Sequence, residues 1–284
     1  MIKTVLVPAT GADTDTAVLG AALAAARRLG AHLDVLHVHM DPREIAAAFA
    51  TDIGGGLVSA GLIESLETEA DQREQKAKKA FDAFCAREKL STGPATPQPG
   101  ATSAQWHREI GNEAAWIAEY GRTSDLLVVG RPEDSEARET LEAAMLDTGR
   151  PLLIPGTAPF NPEVVAIAWK STREAARAVT AAAPFIGAAK RVVVISVAEH
   201  DRMDRDSATR LFATLQRHNA ATEARDVPSG PHGTAETLLA TAAEVGAGLL
   251  VMGGYSHSRV RELVLGGVTA HVLRSAAISA LMVH

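Results

Sequence analysis

Residues 247–253, AGLLVMG, nearly repeat residues 124–130, SDLLVVG, and this recurrence decides how the chain is built. Each stretch is a short apolar run ending in glycine, the pattern of a parallel strand buried on both faces. The flanking segments match too. GRPLLIP at 149–155 follows the first copy, and ISALMVH at 278–284 follows the second. Upstream, apolar runs at 4–8 (TVLVP) and 33–39 correspond to 164–169 and 191–198 (RVVVISVA). A polar strand at 103–108 corresponds to an exposed one at 222–227. Helical runs separate the strands. In the first half they are 13–29, closed by Gly30, then 57–90, 112–121 and 135–148. In the second half they are 172–184, 205–219, 234–245 and a loop with helix at 260–275. In the long run at 57–90, Leu62, Leu66, Ala70, Ala77, Phe81 and Phe84 fall at helical spacings and predict one buried stripe. Residues 91–100 (STGPATPQPG) read as a loop.

Buried strands alternating with helices require a parallel sheet covered on both faces. The expected architecture is therefore α/β, with two tandem doubly wound domains, each a five-stranded parallel sheet with helices on both faces. Their expected bounds are 1–156 and 160–284, joined through the breaker-rich GTAPFNP at 156–162. A period this long duplicates a domain and does not build a solenoid. The first copy carries a surplus at 42–60, read as a flexible excursion around Gly54–Gly56.

With 28 Lys and Arg against 34 Asp and Glu, the net charge is −6, which argues against a nucleic-acid partner because binding needs a basic footprint. Aromatic residues make up only 4%, so the cores should rest on small aliphatic side chains. Cys85 is the single cysteine, which excludes an internal disulfide and a cysteine zinc site. Its helical setting predicts a buried structural thiol. No apolar stretch approaches the roughly 18 residues a membrane span needs, and the opening MIKTVLVPAT lacks the pattern of a secretion signal. The expected location is cytoplasmic, with no membrane partner.

Ligands of such sheets bind beyond the carboxyl ends of the strands, where strand order reverses. One segment there looks chemical: GGYSHSRVRELVLGGVTAH at 253–271. Gly253 and Gly254 would let backbone N–H groups approach phosphate oxygens. Gly266 and Gly267 precede Val268, Thr269 and a helix whose free N–H groups favour an anion. Ser256, Ser258 and Thr269 add hydroxyls, Arg259 makes the loop locally positive with Arg261, and His257 could touch phosphate. Trp169 could wall a base, and Lys170 could reach a phosphate. Val197, near the end of the neighbouring strand, completes the candidate nucleotide-binding set. The ordinary alternative for this loop is packing alone.

On these residues the chain resembles the universal stress protein family, as a tandem member. The family's nucleotide motif is G-x2-G-x9-G-[ST] after the fourth strand. Gly253 matches its first glycine and Gly266 its third, while Ser256 stands for the second and Gly267 for the Ser or Thr. The surrounding MGGYSHSR and ELVLGGVT are more distinctive than the spacing, and the order of elements extends the resemblance to nearly the whole chain. The resemblance implies five-stranded parallel sheets, dimerisation through the last strand, and ATP-binding and non-binding types. It also implies an Asp after the first strand to hold the ribose, where this chain has Lys170. Lysine cannot accept those hydrogen bonds, a loss of roughly 1.5–3 kcal/mol. Ser256 costs roughly 1–2 kcal/mol if its backbone must be left-handed.

In the first copy, RPEDSEARETLEAAMLD follows Gly130, acidic and without a glycine pair, and Thr10 holds the ribose position. No ATP is expected there. The chain lacks G-x4-G-K-[ST], G-x-G-x-x-G after the first strand, G-x-S-x-G, H-x-G-H and SGG-x-D-S, so no catalytic residue is expected. The expected function is a non-catalytic stress-response protein with possible ATP in the second domain, accompanied by Mg if bound. The alternatives are a ligand-free partner-binding module and a slow nucleotide hydrolase. The last strands, at 152–155 and 281–284, are expected to pair as a pseudo-dimer within the chain, and a homodimer is a further possibility. His37 and His39 alternate on one strand and face the same way, a possible metal pair without a third ligand visible in sequence. The ordinary reading for them is packing or surface, and for Trp106, Trp116 and Trp169 it is packing. Met40 and Asp41 sit at the ligand-facing strand end.

Overall fold

Val5, Leu6 and Val7 have no exposed surface, and a strand without a polar face must lie in a sheet covered on both sides. The structure is a computed structural model that describes residues 1–42, 60–95, 100–132, 134–198, 205–254 and 267–284. The chain divides into two units, Ile2–Thr148 and Gly149–His284.

The first unit runs β1 (Thr4–Pro8), α1 (Asp15–Leu29), β2 (His32–His39), α2 (Ala60–Glu88), β3 (Ser91–Thr92), β4 (Ser103–Ile110), α3 (Glu113–Thr123), β5 (Leu126–Val128) and α4 (Ser135–Leu146). Its strands lie in the order β3-β4-β2-β1-β5 and all pair in parallel. Gly30, in the left-handed region at φ 58°, ends α1 and donates its N–H to Ala26 O. The two-residue β3 falls where a loop was expected.

The second unit runs β6 (Leu152–Ile154), β7 (Val164–Ala168), α5 (Arg173–Ala181), α6 (Ala183–Ala188), β8 (Arg191–Ala198), α7 (Arg205–Leu215), β9 (Thr222–Pro228), α8 (Thr234–Glu244), β10 (Leu249–Gly253), α9 (Gly267–Ser275) and β11 (Ser279–Val283). The order is β6-β11-β10-β7-β8-β9. Strands β7 to β11 pair in parallel, while β6 runs antiparallel along β11 with Leu153 opposite Leu281.

Two helices differ from expectation. The run at 172–184 breaks at Ala182, because Pro184 lacks an N–H and fits only the first turn of a new helix. In α2, Ala70, Ala77, Phe81 and Phe84 are buried, but Leu62 is 41% exposed. A helix of 29 residues is about 44 Å long, whereas the eight-residue β2 spans about 26 Å, so the start of α2 outruns the sheet. Cys85 is buried as expected, and burial pushes its thiol up to about 11. Among the described residues, no helix is long and apolar enough to cross a membrane. The excursion expected at 42–60 lies, but for its end residues, outside them.

Candidate functional site

In both units the reversal of strand order falls beside the first strand of the copy, at the carboxyl ends of β1 and β5 and of β7 and β10.

In the second unit this places Trp169 and Lys170 beside Gly253 and Gly254. Val251 is in register with Ile167, so Gly253 lies level with Trp169. Val197 lies two residues past the Ala168–Ile195 pair on the adjoining β8. Trp169 donates its backbone N–H to Ile195 O and its indole N–H to Ser207 Oγ at 3.1 Å, which ties the ring to α7. Thr172 caps α5 by accepting from Ala175 N. Gly253 has a packing reason to be glycine: a Cβ there would lie 2.7 Å from Ala175 N and 2.9 Å from Glu174 C. The Gly254 N–H is committed to Val283 O at 2.8 Å, extending the ladder, so it does not offer itself to a phosphate. Gly267 opens α9 on the surface, with no described residue within 4 Å of where a Cβ would stand, and Thr269 is buried. Glu174 lies in the first turn of α5. Its own backbone N–H holds its carboxyl below the usual range, with Arg173 and Thr172 adding to this. Ser256, His257, Ser258, Arg259 and Gly266 lie outside the described residues.

The first unit holds a cleft of about 100 Å³ at its own crossing point, lined by Thr10 after β1, Gly130 and Arg131 after β5, and Arg73 from α2. Asp15, Glu113, Asp134 and Glu136 line it too. Its volume is room for a few waters, below the roughly 300–1,000 Å³ of cofactor pockets. Asp15 is 4% exposed and accepts from Thr10 N, Thr10 Oγ1 and Gly11 N. Burial raises its pKa above the ordinary value against the pull of those donors. The Glu113 residue keeps some surface in solvent, yet its carboxyl faces the cleft. There burial pushes it up to about 7, while the Thr140 hydroxyl, donating at 2.8 Å, pulls the other way. Arg73 donates to Glu136 at 3.2 Å, and burial lowers the pKa of Arg131. Among the described lining residues four carboxyl groups outnumber two guanidinium groups, which disfavours a polyphosphate.

A second cluster lies beside this cleft. His37 and His39 of β2 meet Glu74 of α2, with one ligand-capable atom of each within 4.8 Å of the others. His37 Nδ1 lies 2.7 Å from Ala9 O, and His39 Nδ1 lies 2.8 Å from Glu74 Oε2. Arg108 donates to Glu74 Oε1 at 2.7 Å and, with His39, holds that carboxyl below its ordinary range. Burial lowers the pKa of His37 and so favours the neutral ring. The third member of the cluster, not singled out in the sequence, is Glu74. It was readable: Arg73 and Glu74 fall three and four residues after the buried Ala70, on the apolar stripe of α2. Trp106 packs between His37 and Phe81, and Trp116 donates to Ile110 O.

No protein-family model matches the chain, and neither does any curated protein. Solved structures do. A universal stress protein from Archaeoglobus fulgidus is 16% identical, with 99% of this chain and 95% of that one covered and a TM-score of 0.69. One from Pseudomonas aeruginosa, described as a universal stress protein, is 15% identical over 99% and 93% of the two chains, with a TM-score of 0.54. A functionally unknown protein from the same species is 16% identical over 99% and 92%, with a TM-score of 0.53. The chain has the α/β fold of the universal stress proteins, and the likeness runs through both copies.

Proposed function

We propose that the chain is a non-catalytic stress-response protein of the tandem universal stress type, cytoplasmic, whose second unit binds a nucleotide or a related phosphate ligand. The observation that carries this reading is the meeting of Trp169 and Lys170 with Gly253 at the crossing point of the second sheet. Beyond it, α9 starts at an exposed glycine. The proposed site comprises Trp169, Lys170, Val197, Gly253, Gly254, Ser256, His257, Ser258, Arg259, Gly266, Gly267, Val268 and Thr269. Within it the geometry favours a division of labour. Gly253 serves packing and Gly254 the ladder, which leaves the anion to the start of α9 and to Lys170. Lys170 favours phosphate over ribose, so affinity should depend more on the number of phosphates than on the sugar. ATP, with Mg if a metal accompanies it, is the leading ligand. The first unit, with its carboxylate-lined cleft, acts as a partner domain without ATP. A pseudo-dimer of the two copies through their last strands belongs to the same proposal.

Calorimetry of the full chain with ATP, ADP, AMP and cyclic AMP tests this. Heat that falls in the order ATP, ADP, AMP supports it, and absence of heat at millimolar ligand removes it in favour of a ligand-free module. Turnover above about 0.1 s⁻¹ would overturn the non-catalytic reading.

A further inference from the structure

We propose that His37, His39 and Glu74 in the first unit form a binding site for a divalent transition-metal ion. The strand repeat of two puts both imidazoles on one side of β2, and α2 brings the carboxylate to them. His37 is the decisive residue. It is 3% exposed, and its Nδ1 faces a carbonyl, Ala9 O, which can only accept; Nδ1 therefore carries the proton. That fixes Nε2 as the bare nitrogen. Nε2 is buried and has no hydrogen-bond partner among the described residues. Folded proteins rarely leave such an atom unsatisfied, and an absent ligand is one recognised reason for it.

The surroundings match those of coordinating histidines. A ligating imidazole usually donates its other N–H to a backbone carbonyl or carboxylate, which sets its tautomer, and Ala9 O does this for His37. Trp106 stacks on the His37 ring at 5.8 Å and 14°, restricting its tilt. Arg108 holds Glu74 Oε1 and leaves Oε2 turned to His39. A metal would replace the proton that His39 and Glu74 now share. Ligand atoms around tetrahedral zinc stand roughly 3.4 Å apart, so the cluster must draw in from at most 4.8 Å. Glu74 can supply that movement, since its side chain is 25% exposed and lines an open surface groove with Lys78 and Arg108. The same groove is a way in. Two imidazoles with one carboxylate suit zinc, cobalt or nickel, whereas calcium and magnesium prefer oxygen ligands throughout. Three protein ligands leave a coordination position for water or an anion.

The test uses the untagged full chain, stripped of metal with a chelator. ZnCl2 is titrated by calorimetry, and CoCl2 is followed by its visible ligand-field bands. The expected result is one equivalent of Zn²⁺ bound with micromolar or better affinity, and at least tenfold weaker binding in each of His39→Asn and Glu74→Gln. Both changes are at partly exposed side chains, and circular dichroism of the metal-free variants checks folding. His218→Asn, at an exposed histidine elsewhere, should bind like the parent. No Zn²⁺ binding at about 100 µM, unchanged affinity in both cluster variants, or equal binding of Mg²⁺ would overturn the proposal. Loss of ATP binding alone would not touch it, because this site lies in the other unit.

Discussion

Glu113→Gln should stabilise the first unit at alkaline pH and leave it almost unchanged in acid. Burial in the cleft raises the Glu113 carboxyl from 4.5 to about 7. At 1.36 kcal/mol per unit, this is a cost of about 3 kcal/mol, taken as an upper bound because part of the residue reaches solvent. The sign follows from proton counting. Below pH 4.5 both folded and unfolded chains hold the proton and no penalty arises. Between 4.5 and 7 the unfolded chain ionises while the folded one keeps its proton, so stability falls as pH rises. Above 7 the whole cost is present. Glutamine stays neutral throughout, and its amide oxygen can still accept from Thr140 Oγ1. Urea unfolding of both proteins near pH 4.5 and pH 8, read by the fluorescence of Trp106 and Trp116, gives the comparison, since other titrating groups cancel in the difference. The variant should gain at most about 3 kcal/mol over the parent at pH 8, and the gap should close near pH 4.5. A gap that is independent of pH, or that widens in acid, would refute the reasoning.

Other substitutions probe the remaining parts. Gly253→Ala forces a Cβ to 2.7 Å from Ala175 N and should destabilise the second unit by about 1–3 kcal/mol in thermal or urea melts; an unchanged melt would mean the α5 packing is not as described. Asp15→Ala strands Thr10 N and Gly11 N and should cost the first unit about 2–4 kcal/mol, measured the same way, with no loss contradicting the hydrogen bonds drawn here. Cys85, buried with its thiol pushed up to about 11, should react with a thiol reagent at pH 8 only as the protein unfolds.

The fold was legible because its central strands are apolar on both faces, and because the chain states the pattern twice, most clearly in the two runs that lead to Gly130 and Gly253. The break at Ala182 was foreshadowed by Pro184 but placed too late, since proline is as welcome in a first turn as it is unwelcome further on. Leu62 was misassigned because periodicity reports which face of a helix is apolar and not where the sheet beneath it ends. Site residues fared less well, for a physical reason. Glycines at 253 and 254 look the same in sequence whether they serve a phosphate, a helix contact or a ladder bond, and the structure gives the last two reasons. Conversely Glu74, Arg73 and Glu113 come from elements far apart in sequence, and only tertiary packing brings them to the histidines and to the cleft. Charged residues on the apolar stripe of α2 were the available clue.

The most direct test is ATP titration of the parent chain beside Gly267→Asp. Residue 267 is exposed and no described residue stands within 4 Å of its Cβ position, and a carboxylate at a helix start favours folding by about 0.3–1 kcal/mol while repelling phosphate. Measurable ATP binding by the parent, lost by at least tenfold in a variant that melts no lower, is the predicted result. Equal affinity in both proteins, or no binding in either, would contradict the account.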